Sequence, residues 1–171
     1  EHDELASAIL VTTSEKLVDE TIKELERQVK ELSRKDIIEK SLSTYGAAIV
    51  CDCIDCAIEL ANELAPEHLE VLLQNPMEYL GRLDNAGSIF LGQYAPEPLG
   101  DYYAGPNHVL PTSGTARFFS PLSVNSFTKR TSYIYYTEQA LLDAKTDIVT
   151  IAEKEGLTAH AKSILSRFEE F

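Results

Sequence analysis

The 171-residue sequence predicts an α/β fold: a parallel, incomplete Rossmann-like sheet flanked by helices, then a long irregular loop and a C-terminal helical appendage. Short apolar runs alternate with segments of helical periodicity, the pattern of βαβ units. Regular periodicity vanishes over residues 92–122, where Pro96, Pro98, Gly100, Gly105, Pro106, Pro111, Gly114 and Pro121 accumulate. Two helical segments separated by Gly156 close the chain.

Residues 8–13 (AILVTT) form the first apolar run with strand character, and Ser14 offers an oxygen to cap a following helix. Leu17, Val18, Ile22, Leu25, Val29 and Leu32 then recur three and four apart, one apolar stripe on a long helix. A second, short helix is expected over residues 36–43. Residues 47–51 (AAIVC) read as a buried strand, with Asp52 capping a helix that runs to residue 64. An extended piece at residues 69–73 and a strand at residues 88–91 (SIFL) follow. Residues 132–136 are the last strand candidate. Thr137 caps a helix ending near Glu155, Gly156 breaks it, and residues 157–168 form the final helix. The expected organisation is an α/β domain over residues 1–122, then a linking strand and helical tail over residues 123–171.

Hydrophobic residues at 44% and charged residues at 25% are globular values, which exclude a fibrous or disordered chain. No apolar run reaches the ~18 residues that a membrane span needs. A formal net charge of -13 argues against nucleic acid, whose phosphates demand a basic face. The acidity is concentrated in residues 52–101, where Asp52, Asp55, Glu59, Glu63, Glu67, Glu70, Glu78, Asp84, Glu97 and Asp101 face one base, Arg82. A solvated acidic surface accounts for such a stretch, and so does a pocket for a metal or a protonated amine. Three cysteines, Cys51, Cys53 and Cys56, are too few and too crowded for a disulfide framework and suit a reducing cytoplasm. Four thiolates are the usual requirement for a zinc or iron–sulfur site, so these read as structural thiols, with Cys56 on the apolar face of its helix.

The four histidines, His2, His68, His108 and His160, each stand beside a break in the local pattern. Singly, each reads as a solvated or core-satisfied residue. Together, with Asp101 and Glu67, they form a candidate metal and acid–base site. No HExxH, paired CxxC, Gly-x-Gly-x-x-Gly or nucleophile-elbow motif narrows that choice.

Longer strings do. Glu63-Leu-Ala-Pro-Glu-His-Leu-Glu70, Ala86-Gly-Ser-Ile-Phe-Leu-Gly92, Leu99-Gly-Asp-Tyr102, Gly105-Pro-Asn-His-Val-Leu-Pro-Thr-Ser-Gly-Thr-Ala-Arg117 and Glu153-Lys-Glu-Gly-Leu-Thr-Ala-His160 closely resemble the histidinol dehydrogenases. The resemblance runs from His2 to the end of the chain, which looks like the C-terminal part of the longer family members. It implies an enzyme that oxidises L-histidinol to L-histidine in two consecutive NAD-dependent steps through a bound aldehyde. It also implies one zinc per site. His2, Asp101 and His160 match three family zinc ligands; the fourth, a Gln, would precede Glu1. Glu67 and His68 match the catalytic pair, and His108 and Glu155 match substrate-contacting positions. Substrate binding would therefore draw on His2, His68, Asp101, His108, Glu155 and His160, whereas the NAD contacts would lie mostly upstream. The resemblance further implies a homodimer with exchanged C-terminal tails. Two other readings stay open: an inactive piece serving folding or oligomerisation, and a dehydrogenase of another amino alcohol.

Overall fold

Two compact units, Glu1–Phe127 and Thr128–Phe171, make up the chain in the computed structural model, which describes residues 1–169. The first unit opens with strand β1 (Ile9–Thr12), helix α1 (Glu15–Gln28), helix α2 (Lys35–Tyr45) and strand β2 (Ala47–Val50). Helix α3 (Ile54–Leu64), strands β3 (His68–Val71) and β4 (Ser88–Leu91) and helix α4 (Glu97–Tyr102) follow. Ser14 caps α1 as its position predicts, its hydroxyl accepting the Leu17 N–H at 3.2 Å. The regular helix ends at Gln28 and tightens into a 3-10 turn, Val29–Glu31, so the apolar stripe spans two elements. Val29 is buried, whereas Leu17, Ile22, Leu25 and Leu32 stay exposed.

β1 pairs with β2 in parallel, Ile9 opposite Ala47, and β3 with β4 in parallel, His68 opposite Ser88. The strands are parallel as expected, but among the described residues they form two separate two-stranded sheets, not one. Each pair is closed by its own crossover: α1 and α2 in the first, the 3-10 segment Pro76–Arg82 in the second. The main core lies on the second pair, where Ile58, Val71 and Leu83 are buried and Ile54, Leu69, Tyr79, Ile89 and Leu91 pack on them.

The turn into α3 differs from expectation. Cys53, not Asp52, occupies the capping position, its sulfur accepting the Cys56 N–H at 3.2 Å. Cys53 and Cys56 are exposed and Cys51 half-buried, so Cys56 does not join the apolar face. That face belongs to Ile54 and Ile58. At its other end α3 stops on Ala65, fully buried and left-handed at φ 47. Asn62 locks α3 to the segment before β4. Its amide nitrogen donates to the Arg82 carbonyl at 2.8 Å, and its oxygen accepts from the Asp84 N–H at 2.8 Å.

Residues 92–122 contain one short helix, α4, in an otherwise irregular path. Pro96 and Pro98 fit its start, where backbone N–H groups have no helical partner. Farther on, Gly114 at φ 77 turns the chain so that the Arg117 guanidinium reaches back to the Glu63 carbonyl. The strings that stood out in the sequence are thus tied together: α3's last turn holds the far end of the irregular loop.

The second unit holds α5 (Glu138–Lys154) and α6 (Thr158–Leu165). Thr137 caps α5 by accepting the Ala140 N–H, and Gly156 at φ 75 ends it, with the Leu157 N–H bonded to the Ala152 carbonyl at 2.8 Å. Ala152 and Ala161 are buried, which lets the two helices approach closely. The expected strand over residues 132–136 is not formed. Its amides find no partner strand among the described residues, and Tyr133, Ile134, Tyr135 and Tyr136 stay exposed. Among the described residues no helix is long and apolar enough to cross a membrane.

Candidate active site

The start of β3 builds the site. Side chains two apart on a strand share a face, so His68 and Glu70 both turn toward α4. The Glu70 carboxylate accepts the Glu97 N–H at 2.9 Å and so takes up one of the unpaired amides of α4's first turn. Glu97 and Asp101, four residues apart on that helix, present their carboxylates on one side. His68 Nε2 lies 3.6 Å from Glu97 Oε1 and 4.0 Å from Asp101 Oδ1. Behind the imidazole stands the Phe90 ring of β4, centroids 6.0 Å apart. Gly100 explains the Leu-Gly-Asp-Tyr string: a Cβ there would fall 2.6 Å from Phe90 Cε1. Only a residue without a side chain lets α4 sit against this ring with Asp101 beside His68.

Electrostatically the cluster is unfinished. His68 Nε2 and Glu97 Oε1 are buried and have no hydrogen-bond partner among the described residues, a costly state for polar atoms. Burial, and then the adjoining Asp101 carboxyl, push the Glu97 carboxyl above the ordinary glutamate range; His68 and His2 pull the other way. One nitrogen and two carboxylate donors lie within 4.8 Å of one another, a set that a divalent cation such as zinc satisfies. A protonated amine would meet the same need. The residues present therefore fit a bound cation.

Of the residues singled out in the sequence, the structure brings His68 and Asp101 together. His2 is exposed, its carbonyl accepting from Arg34 Nη2 at 3.2 Å, and its imidazole is close enough to act on the Glu97 carboxyl. Glu67 is half-buried immediately before β3, and its carbonyl accepts the Ser88 N–H at 2.8 Å. His108 is exposed in the irregular loop. Glu155 and His160 flank the α5–α6 turn of the second unit, both exposed. Glu97 and Glu70 figured only among the ten acids of residues 52–101 and were not singled out as site residues. The Glu97-x-x-x-Asp101 spacing was the available signal, hidden in a proline-rich stretch that reads as irregular.

A model of the family described as "Histidinol dehydrogenase" matches residues 1–168. The chain belongs to the histidinol dehydrogenase family. The histidinol dehydrogenase of Clostridium acetobutylicum is 62% identical over 169 residues, covering 99% of this chain and 39% of the relative. That of Caldanaerobacter subterraneus is 59% identical over 168 residues, with 98% and 39% covered. A crystal structure of histidinol dehydrogenase from Elizabethkingia anophelis superposes with a TM-score of 0.78 at 36% identity, covering 97% of this chain and 38% of that one. The chain thus spans about two-fifths of the length of these histidinol dehydrogenases.

Proposed function

We propose that this chain carries the acid–base and cation-binding part of a site that oxidises L-histidinol to L-histidine through L-histidinal. The observation that carries the reading is the buried, unpartnered His68 Nε2 set against Glu97 and Asp101, with His68 and Asp101 inside the strings shared with the family. His68 Nε2 accepts the hydroxyl proton as the carbinol carbon loses its hydride, a task suited to an imidazole near neutral pH. Glu67, one residue earlier, activates the water that adds to the aldehyde carbon in the second oxidation. Glu155 accepts a hydrogen bond from the substrate imidazole, and His108 contacts the substrate. His2, Asp101 and His160 would hold zinc. When bound, zinc would supply a fixed positive charge that orients the substrate nitrogens, and NAD, held mostly by upstream residues, would supply the hydride acceptor. Residues 123–171 act as a tail that supplies Glu155 and His160 to the partner in a homodimer. A cytoplasmic setting fits the three free thiols.

Zinc content and turnover of the full chain separate base from ligand. Asp101→Ala is expected to lose zinc. His68→Asn is expected to keep it while alcohol oxidation slows by ~10²-fold or more, the usual scale for a general base. A His68→Asn protein as zinc-poor as Asp101→Ala would instead favour the second reading, in which His68, Glu97 and Asp101 themselves form the metal site.

A further inference from the structure

Outside this site, one pair of reactive groups is left unused. Cys53 and Cys56 sit at the start of α3 with their sulfurs 2.7 Å apart and both residues exposed. At 2.7 Å the sulfurs are already inside their contact distance, and small rotations about the side-chain bonds bring them to the ~2.05 Å of a disulfide. We infer that Cys53 and Cys56 form a reversible dithiol–disulfide site whose oxidant is a hydroperoxide and whose reductant is a dithiol.

The two sulfurs are not equivalent. Cys53 occupies the capping position of an 11-residue helix, and its sulfur accepts the Cys56 backbone N–H at 3.2 Å. The Cys56 N–H points at that sulfur and the start of the helix lies beside it, which leaves Cys53 placed outside the helix to meet a reagent. The Cys56 thiol is held protonated: its neighbour Cys53, burial, and the carboxylates of Glu59 and Asp52 push it above the ordinary thiol range. Cys53 is therefore the attacking sulfur and Cys56 the resolving one. Cys53 thiolate attacks the terminal peroxide oxygen; an S–O bond forms, the O–O bond breaks and an alcohol leaves. Cys56, giving up its proton, attacks the resulting sulfenic sulfur; the S–S bond forms and the S–O bond breaks, releasing water. Two thiols and one hydroperoxide thus give one disulfide, one alcohol and one water, the sulfur pair losing the two electrons that the peroxide gains. A dithiol reverses the step by exchange through a mixed disulfide. The acidic surroundings slow the first attack, so the pair responds gradually, not as a fast scavenger.

Intact-mass and peptide mapping of the full chain, before and after hydrogen peroxide and again after dithiothreitol, test the inference. The three thiols should fall to one, with a loss of two hydrogens mapped to a Cys53–Cys56 bridge, and return on reduction. Cys51→Ser should leave the bridge unchanged. Cys56→Ser should trap sulfenic acid at Cys53, captured by dimedone, and Cys53→Ser should show neither product. Serine keeps a capping oxygen at position 53, so that variant retains the helix start. Three thiols surviving peroxide, a bridge that uses Cys51, or direct oxidation to sulfinic acid without a bridge would each overturn the assignment.

Discussion

His68 and Glu97 each carry a buried polar atom that wants a partner, and each makes a separate demand on experiment. Glu97 titrates above the ordinary glutamate range. The folded chain therefore still holds a proton there at pH values where the unfolded chain has released it. The resulting stability is fully present below the ordinary glutamate pKa and is lost as pH rises through the shifted one. Glu97→Gln removes that loss. In chelator, the variant should melt at a higher temperature than the parent near neutrality, and the two should converge in acid, where Glu97 is neutral in both. Equal melting temperatures at both pH values would mean that Glu97 is not strained by its surroundings. Glu67 makes a further demand. If it serves mainly the second oxidation, Glu67→Gln impairs L-histidinal turnover more than L-histidinol turnover, and an aldehyde step untouched by the change would refute that division of roles.

At the level of elements, the placement of α4 on β4 decides whether Asp101 meets His68. The Phe90 ring leaves no room for a Cβ at position 100. Gly100→Ala should cost ~1–3 kcal/mol in denaturant melts, the usual penalty for overpacking, and should lower metal retention because Asp101 is the next residue. A variant as stable as the parent would show that α4 shifts freely on its strand. The elements readable in the sequence are those whose causes are local. Ser14 and Thr137 cap their helices through hydroxyls a few residues from the amides they satisfy, and Gly156 ends α5 where its backbone permits the turn. What was not readable depends on distant partners or on competition between neighbours. The strand at residues 132–136 has the right residues and no neighbour among those described. Cys53 took the capping role from Asp52, a competition between adjacent acceptors that spacing alone does not resolve. Glu97 became part of the site only because Glu70 on β3 anchors the first turn of α4. His68 and Asp101 were singled out by residue type and then by shared strings, not through any periodicity.

For the whole molecule, the second unit stands as a helical hairpin with its own small interior of Ala152 and Ala161. If this tail serves a partner's site, lesions in the two units complement one another. Full-length Asp101→Ala and His160→Ala proteins should each be inactive alone. After joint denaturation and refolding, random pairing makes half the dimers mixed, each with one intact site, for about a quarter of parental activity. Absence of recovery, with mixed dimers present in native mass spectra, would assign each site to a single chain.

The division into two strand pairs also leaves a signature in time. In a parallel ladder alternate amides point to opposite sides of the strand. On β2 the Ala47 N–H is bonded to the Ala8 carbonyl, and just past the strand the Cys51 N–H is bonded to that of Thr12. The Ala48 and Val50 amides between them face the other edge, where the described residues place no strand. Deuterium uptake along β2 should therefore be striped, slow at residues 47 and 51 and fast at residues 48 and 50. A longer polypeptide that lays a further strand along this edge would erase the stripes. Residue-resolved exchange, compared between this chain and such a polypeptide, then reads out whether a strand is added at this edge, without any assay of activity.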